Sequence, residues 1–343
     1  MVIARHDERI TWFQNLICGG AAVIFSRSAT SPLEVVKVLS QVGTQNTKRG
    51  LARTFTNVYR NEGIKAFWKG NWMTCLRLFP YSTLQFITFN YLVVSSTYVN
   101  FLEDPYQGYL SSTGSMLCGS ASTLIAMLAV YPCETIRTRL IVQQHVKKPS
   151  LAKYHGITHA FRTVWKEEGF FALYKGLSPS ILGVIPFAGG SFMVYRWFDQ
   201  LDQIFDQNNY SYQMQMLFGG GLASAFAQSL SYPFDTIRKK MQASSKHIPG
   251  HGGVDVKFKG MCSAFVSSVT ANGFLGLWRG LSVSLLKIVP NTGLMYLSFE
   301  HCKRVFLYYN GYTQSPWDDI PKDDVDQSLL PQEVYQIVLD KKK

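Results

Sequence analysis

Long apolar stretches alternate with shorter polar segments along this chain, and the alternation predicts six helices. The odd-numbered stretches cover roughly residues 11–40, 111–142 and 212–243, and the even-numbered ones roughly residues 70–96, 176–203 and 280–308. Each is longer than the ~20 residues needed to cross a hydrocarbon layer of ~30 Å. A polar segment with a short amphipathic helix joins the two stretches of each pair. The pattern therefore predicts an all-α membrane protein with six transmembrane helices.

The same local sequence occurs three times. Its first segment is a proline followed by an acidic and a basic residue, and the copies are Pro32-Leu33-Glu34-Val35-Val36-Lys37, Pro132-Cys133-Glu134-Thr135-Ile136-Arg137 and Pro233-Phe234-Asp235-Thr236-Ile237-Arg238. These prolines lie 100 and 101 residues apart, and several glycines and a second proline recur at matching spacings. Such self-similarity indicates repeated structural units. We predict three repeats, at residues 11–96, 111–203 and 212–308, and a polar C-terminal tail at residues 309–343.

Composition agrees with a membrane protein that meets anions. Hydrophobic residues make up 47% of the chain and charged residues 16%, against roughly 25% charged in soluble domains. The net charge of +12 favours anionic lipid or an anionic substrate. Nucleic acid is not an expected partner, because the basic residues recur along the repeats instead of forming one patch. The six cysteines show no metal-ligand spacing and are expected to be free thiols, so we predict neither a metal site nor a cofactor.

The repeated segments resemble the signature of the mitochondrial carrier family, solute carrier family 25. The carrying motifs are P-x-[DE]-x-x-[KR] and, further on, an acid-glycine pair and an aromatic-base-glycine triplet, and the resemblance covers about residues 11–308. It implies a pseudo-threefold barrel of six helices around a central cavity, short matrix helices, and alternating access across the mitochondrial inner membrane. Basic loops within each pair of helices are expected on the matrix side, with both termini toward the intermembrane space. We expect a monomer.

The resemblance implies a gate on the matrix side. A proline kinks each odd helix, and the acid and base three residues apart share one helical face. Charges at that depth should be paired between helices. The implied pairs are Glu34 with Arg137, Glu134 with Arg238, and Asp235 with Lys37, and Gln41 and Gln242 are expected to brace two of these pairs.

The outer gate of the family is only partly present. Glu300 and Lys303 keep the expected acid and base, whereas Arg196 and Asp199 have the signs reversed. The first repeat has no charge at either position. We therefore predict a weak outer gate and a preference for the outward-open state.

Three base-glycine pairs open the even helices. Free amides and the positive end of the helix dipole favour phosphate at such positions, and the resemblance implies cardiolipin. The alternative is a tight turn with a base reaching the interface. The pairs are Lys69-Gly70, Lys175-Gly176 and Arg279-Gly280.

The candidate substrate site is electropositive on one side and apolar on the other. Basic residues within a membrane are functional candidates, and Arg and Lys suit phosphate recognition. No acidic residue near the middle of the membrane is expected to neutralise them. Gly183 has no side chain and is expected to leave room for a flat adenine ring, although simple packing in the cavity is the alternative. The candidates are Arg27, Arg77 and Lys287 as cations, and Gly183, Val184, Phe187 and Ser231 as positions that match nucleotide-transporting members.

The predicted function is transport of a phosphate-bearing anion, an adenine nucleotide or a coenzyme A-type compound. Arg238-Lys239-Lys240-Met241-Gln242-Ala243 departs from the three-Arg, three-Met run of the ADP/ATP carrier. Transport of an inorganic or carboxylate anion and a non-transporting scaffold remain alternatives. No nucleophile–base set or P-loop indicates an enzyme. His247 and His251 flank a Gly-rich segment that is either a flexible loop or a metal site, and the tail is either a docking element or disordered.

Overall fold

The computed structural model describes residues 9–43, 51–98, 112–143, 154, 156–202, 209–244, 258, 260–317 and 320–322. These residues hold ten α-helices and no β-strand, apart from a single bridge between Thr313 and Pro321. The helices are α1 Trp12–Ala29, α2 Ser31–Val42, α3 Leu51–Glu62, α4 Asn71–Tyr98, α5 Ser112–Val142, α6 Ile157–Glu168, α7 Leu177–Asp202, α8 Asn209–Ala243, α9 Met261–Asn272 and α10 Leu281–Tyr309.

The predicted long helices are present, with one difference in the first. It is divided at Thr30, whose φ of −90° and ψ of 2° leave the helical region before Pro32. Pro132 in α5 and Pro233 in α8 lie inside continuous helices. A proline removes one backbone hydrogen bond, and a helix can either continue past this loss or end there. Among these three helices, the one in the first repeat is divided and the other two continue.

A short helix follows each odd helix, as the polar loops predicted. The helices α3, α6 and α9 each contain 12 residues and lead into a turn of 3-10 helix. Each of these turns ends before a glycine with positive φ: Gly70 (73°), Gly176 (87°) and Gly280 (89°). A Cβ atom on Gly176 would lie 3.0 Å from the Arg238 carbonyl oxygen. Glycine is therefore required both by the backbone conformation and by the close approach of the next odd helix.

The described structure divides into two compact units. The smaller comprises Met1–Thr30 and Ile288–Lys343, and the larger comprises Ser31–Lys287. In the smaller unit, side-chain hydrogen bonds link α1 to α10 and to Asn310, the residue that follows α10. Gln14 Nε2 donates a hydrogen bond to Asn310 Oδ1 (2.9 Å), and Ser26 Oγ contacts Asn291 Oδ1 at 3.1 Å.

In the larger unit, α4 packs along α5 and α7 packs along α8. A Cβ atom on Gly190 of α7 would lie 3.2 Å from Ala227 Cα of α8, so small residues permit this close contact. Buried apolar side chains join α2 to the end of α5 and to the first connecting turn. They are Val35, Val36, Val38, Leu39, Val42, Val58, Ala66, Phe67, Ile141, Val142, Ala243 and Val283.

Two segments in the described part of the chain, Leu117–Val142 and Phe170–Ser191, are long and apolar enough to cross a membrane. The other long helices carry more polar side chains, such as Arg77 in α4. That helix nevertheless has an apolar outer face, since Trp72, Phe79 and Phe86 are 68–71% exposed. Residues seven apart lie on one side of a helix. Lipid contact accounts for this unburied aromatic face better than water does.

Candidate functional site

The ends of the odd helices bring the predicted acids and bases together within the larger unit. Arg137 Nη2 lies 3.4 Å from Glu34 Oε1, and Lys37 Nζ lies 3.1 Å from Asp235 Oδ2. The guanidinium of Arg238 contacts Glu134 Oε2. All three contacts that the resemblance implied are therefore present between helices. The spacing of three residues between acid and base allows each helix to offer one charge to each neighbour.

The two glutamines differ in what they contact. Gln41 Nε2 donates a hydrogen bond to Asp235 Oδ2 (3.0 Å), so it supports the Lys37–Asp235 pair directly. Gln242 Oε1 instead accepts hydrogen bonds from Thr138 Oγ1 (2.9 Å) and Lys239 Nζ (3.2 Å). Gln242 is therefore linked to the neighbouring ion pair indirectly, through Lys239 and Thr138.

Lys239 is a site residue that the sequence reasoning missed. Its side chain is buried, and its Nζ lies 3.1 Å from Glu134 Oε1. Its neighbour Arg238 occupies the other oxygen of the same carboxylate. The sequence does show a second basic residue directly after Arg238, the base of the repeated motif. This residue, Lys239, lies one helical turn beyond Asp235 on α8.

The substrate candidates Arg77 and Lys287 have carboxylate partners, so the expectation that no acid neutralises them is wrong. Arg77 Nη1 lies 2.9 Å from Glu134 Oε2, and the ammonium of Lys287 contacts Glu34 Oε2. Long basic side chains on the even helices reach the acids at the ends of the odd helices. Charges taken out of water are stable only with such partners.

These contacts form three groups, around Glu34, Glu134 and Asp235, which we together call the cation-rich cluster. It contains three carboxylates and six cations, and its formal charge is therefore +3. Its side chains are 6–24% exposed. The members are Glu34, Glu134, Asp235, Lys37, Arg77, Arg137, Arg238, Lys239 and Lys287.

The apolar candidates lie on facing parts of α7 and α8. A Cβ atom on Gly183 would lie 3.1 Å from Phe234 Cβ, so the room expected beside this glycine is occupied by Phe234. Close packing of α7 on α8 is the physical reason. Val184 is partly exposed and Phe187 is 42% exposed on α7. Ser231 on α8 is buried, and its hydroxyl donates to the Gln228 carbonyl oxygen at 3.4 Å.

The remaining predicted residues are Arg27, those of the outer gate and the segment 247–253. Arg27 lies in the last turn of α1, in the smaller unit. Glu300 Oε1 is 3.8 Å from Arg304 Nε on α10, the same helix that carries Lys303. The side chains of Arg196 and Asp199 lie outside the described residues, as does the segment 247–253.

The bases of the three base-glycine pairs contact side chains seven residues upstream. The ammonium of Lys69 contacts Glu62, and Lys175 Nζ lies 3.1 Å from Glu168 Oε2. Arg279 Nη1 donates to Asn272 Oδ1 at 3.3 Å, so the third repeat has an amide where the first two have carboxylates. The three positions therefore differ, because the base of the third contacts an amide and the bases of the first two contact carboxylates.

Arg139 is a second residue that the sequence reasoning missed. Its side chain is fully buried, and its two Nη atoms lie 2.8 and 2.9 Å from the two oxygens of Glu168. Its Nε donates to the Gln242 carbonyl oxygen at 3.2 Å. This bidentate contact joins α5, α6 and the end of α8. The corresponding positions are Leu39 in the first repeat and Lys240 in the third, so the contact belongs to the second repeat.

Three similar helical units, unburied apolar faces and an internal cluster of ion pairs define a membrane solute transporter. The family described as mitochondrial carrier protein matches residues 8–97, 109–203 and 210–310 of the chain. This chain belongs to the mitochondrial carrier family. It is a transporter of the mitochondrial inner membrane and not an enzyme.

Individual relatives extend over nearly the whole chain. Solute carrier family 25 member 43 of Mus musculus is 43% identical over 340 residues, which are 98% of this chain and 95% of the relative. The mitochondrial adenine nucleotide transporter ADNT1 of Arabidopsis thaliana is 31% identical over 313 residues, with 85% and 86% covered. The mitochondrial carrier protein CoAc1 of Zea mays is 31% identical over 310 residues, with 84% and 86% covered.

Proposed function

We propose that this carrier moves a phosphate-bearing anion, an adenine nucleotide or a coenzyme A-type compound, by alternating access. In this proposal the three repeats at 11–96, 111–203 and 212–308 form a six-helix barrel that crosses the membrane, with α1 and α2 counted as one span. Both termini face the intermembrane space, and the unit of function is the monomer. The excess of loop bases on one side supports this orientation.

The charge of the cation-rich cluster is the observation that carries the proposal. Three of its six cations are in excess of the carboxylates. A net positive charge inside a membrane protein is costly without an anion to offset it. A ligand with two or more negative phosphate charges supplies that anion better than a monocarboxylate. Arg77 offers paired N–H donors suited to phosphate oxygens.

Arg77 and Lys287 link the proposed substrate site to the proposed matrix gate. Each holds a carboxylate that also binds a gate base, Glu134 for Arg77 and Glu34 for Lys287. An anion bound to Arg77 or Lys287 competes with those carboxylates. Such competition would weaken two of the three gate contacts when substrate arrives. In the part of the chain that the structure describes, no base of an even helix contacts the Lys37–Asp235 pair, so we propose that this pair is the least sensitive to substrate.

We propose that the apolar side of the site recognises the adenine ring of the substrate. Phe187 exposes an aromatic ring, and Val184 and Ser231 flank the contact between Gly183 and Phe234. An adenine ring can stack on an aromatic side chain, and a hydroxyl can hydrogen-bond to its edge. The adenine nucleotide transporter among the relatives supports this choice of ligand class. Arg27 remains a proposed cation of the substrate site from the sequence alone.

The gates and lipid sites complete the proposal. The matrix gate consists of the three ion pairs and their glutamines, and the outer gate of Glu300, Lys303, Arg196 and Asp199 is proposed to be weak. The amides that begin α4, α7 and α10 are proposed to bind cardiolipin phosphates at Gly70, Gly176 and Gly280.

A binding experiment tests the ligand class directly. Purified protein in detergent is heated with ATP, ADP, AMP, coenzyme A, inorganic phosphate or citrate, and the unfolding temperature is measured. Ligands that bind the folded state raise it. We expect the largest increase with nucleoside triphosphate or coenzyme A, and a loss of most of it in Arg77→Gln. Arg162→Gln, an exposed base on α6, is the matched control.

Each alternative has its own outcome in this experiment. A response to citrate or inorganic phosphate alone would replace the proposed substrate with another anion. No response to any anion, with a normal unfolding transition, would favour the non-transporting scaffold.

A further inference from the structure

A tyrosine stands directly before the proline of the repeated motif in two of the three repeats. These residues are Tyr131 and Tyr232, and both side chains are fully buried. Each lies three residues before the acid of its own motif, Glu134 or Asp235. Residues three apart are neighbours on one face of a helix. The tyrosine and the acid of one helix are therefore placed to contact the same partner.

The partner of each tyrosine ring is a base of the proposed matrix gate. Arg238 Cζ lies 5.5 Å from the centroid of the Tyr131 ring, and Lys37 Nζ lies 5.6 Å from the centroid of the Tyr232 ring. The acids three residues further along bind the same two bases. A cation within about 6 Å of an aromatic centroid is attracted by the negative face of the ring. Each base is thus bound by two groups of the neighbouring odd helix, a carboxylate and a ring.

The tyrosine hydroxyls fix the rings at their other end. Tyr131 OH donates a hydrogen bond to the Lys175 carbonyl oxygen at 3.3 Å, and Tyr232 OH donates to the Arg279 carbonyl oxygen at 3.2 Å. Both carbonyls belong to the base-glycine pairs that precede α7 and α10. A ring cannot turn away from its base without breaking this hydrogen bond, and a buried hydroxyl without a partner is costly.

The first repeat differs, because Ser31 occupies the tyrosine position. Its Oγ donates to the Phe67 carbonyl oxygen at 2.8 Å, so the hydrogen bond to the connecting turn is kept. A serine supplies no ring to Arg137, the base of this pair. Arg137 Nη2 lies 3.4 Å from Glu34 Oε1, which is longer than the 3.1 Å of the pair formed by Lys37. The contact between the first and second repeats is therefore the less firmly held of the two.

We propose that Tyr131 and Tyr232 are positioning residues of the matrix gate, and that the pair of Arg137, which has no tyrosine, is the first to open. The inference rests on the proposed function, because the gate is part of it. A base that loses its carboxylate keeps its ring in the other two pairs, whereas position 31 offers Arg137 no such contact. The matrix side then begins to open between the first and second repeats.

Chemical modification of the unsubstituted protein tests this order. Full-length protein in detergent is treated with phenylglyoxal, which reacts with guanidinium groups, and each arginine is followed by mass spectrometry of chymotryptic peptides. A buried arginine reacts only when its surroundings open. The side chain of Arg137 is 10% exposed and that of Arg238 is 17% exposed, so exposure alone would make Arg238 react faster. We expect Arg137 to react roughly fivefold faster. Equal rates, or a faster reaction of Arg238, would overturn the proposed order.

Substitution of a tyrosine tests the role of its ring. Tyr232→Phe keeps the ring and removes the hydroxyl, and Tyr232→Leu removes both. The rate at which acetic anhydride acetylates Lys37 is measured relative to the exposed Lys166. We expect it to rise roughly fivefold in Tyr232→Leu and to stay near the unsubstituted value in Tyr232→Phe. The buried Lys239 is the control for general loosening and should react as slowly in both variants.

Two results would overturn the role of the ring. They are an unchanged rate for Lys37 in Tyr232→Leu, and an equal rise in Tyr232→Phe, which would assign the effect to the hydroxyl. Should Tyr232→Leu fail to fold, Tyr131→Leu and Tyr131→Phe give the same comparison, with phenylglyoxal modification of Arg238 as the measured rate.

Uptake by vesicles separates this inference from the proposed function. Without the ring, fewer molecules keep the matrix gate closed, so the half-saturating concentration of external nucleotide should rise several-fold in Tyr232→Leu and not in Tyr232→Phe. An unchanged half-saturating concentration beside faster acetylation of Lys37 would overturn the effect on the gate. Unsubstituted protein that takes up no anion would contradict the proposed function, while the modification rates would still decide whether the rings hold the bases.

Discussion

Arg77 of α4 and Arg238 of α8 bind the same oxygen, Oε2, of Glu134. Lys239 occupies the other oxygen at 3.1 Å. One carboxylate therefore holds a proposed substrate cation, a proposed gate cation and an additional buried cation at the same time. Among the described residues, Asp235 by contrast has one basic partner, Lys37 at 3.1 Å, and the amide of Gln41. The three acids of the repeated motif are thus unequal in the number of charges that depend on them.

This inequality predicts different costs for two equivalent substitutions. Glu134→Gln removes the anion from three cations, and Asp235→Asn removes it from one. Breaking a buried pair costs about 3–5 kcal/mol, and partial exposure of these side chains should reduce that to about 2–3 kcal/mol for Glu134→Gln. Asp235→Asn should cost about half as much. Thermal unfolding of the two purified variants checks this, and equal losses would contradict the unequal sharing of charge.

Two glycines of the second repeat, Gly169 after α6 and Gly176 before α7, offer a second comparison. Gly169 and Gly176 both have a φ of 87°, but a Cβ atom would have no neighbour within 4 Å at Gly169 and would lie 3.0 Å from the Arg238 carbonyl oxygen at Gly176. Each alanine substitution should cost about 1–3 kcal/mol because of the positive φ, which at Gly169 is combined with a ψ of 170°. Gly176→Ala should cost about 1–3 kcal/mol more because of the close contact.

The measurement is the unfolding temperature of both variants under the same conditions. A difference of several degrees is expected, with Gly176→Ala the less stable. Equal unfolding temperatures would mean that α7 can move away from α8 without cost. That result would contradict the close approach of the second repeat to the third.

The contact between Gly183 and Phe234 gives a third prediction. Gly183→Ala and Gly189→Ala both improve helix propensity in α7, by about 1 kcal/mol. A Cβ atom has no neighbour within 4 Å at Gly189, whereas at Gly183 it would lie 3.1 Å from Phe234 Cβ. We expect Gly189→Ala to be neutral or stabilising and Gly183→Ala to be less stable than Gly189→Ala. Nucleotide-induced stabilisation should fall only in Gly183→Ala, and a fall in both would argue against a local effect of Phe234.

Much of the helical arrangement was predictable from the sequence because its signals are local and repeated. The spacing of the acids, bases and prolines predicts where α5 and α8 end. Together with the resemblance, it also predicts the pairs Glu34–Arg137 and Lys37–Asp235, which are present. The break at Thr30 was not predictable, since a proline can either kink or divide a helix. Only the folded chain shows which occurs.

The parts of the site that were missed depend on distances between helices. Arg77 and Glu134 are far apart in sequence, and nothing in either helix alone indicates that their side chains meet. Lys239 and Arg139 were visible as additional bases near the motif, but their burial and their carboxylate partners follow from tertiary packing. The sequence predicts open space beside Gly183, because it does not show that Phe234 of the next helix fills that space.

The most direct test of the account is uptake of labelled ATP or coenzyme A by vesicles that contain purified carrier, loaded inside with the same compound. The account predicts saturable uptake that falls at least tenfold in Arg77→Gln and in Lys287→Gln, and stays near the unsubstituted rate in Arg162→Gln. Uptake that survives removal of both Arg77 and Lys287 would contradict the assignment of these two cations to the substrate.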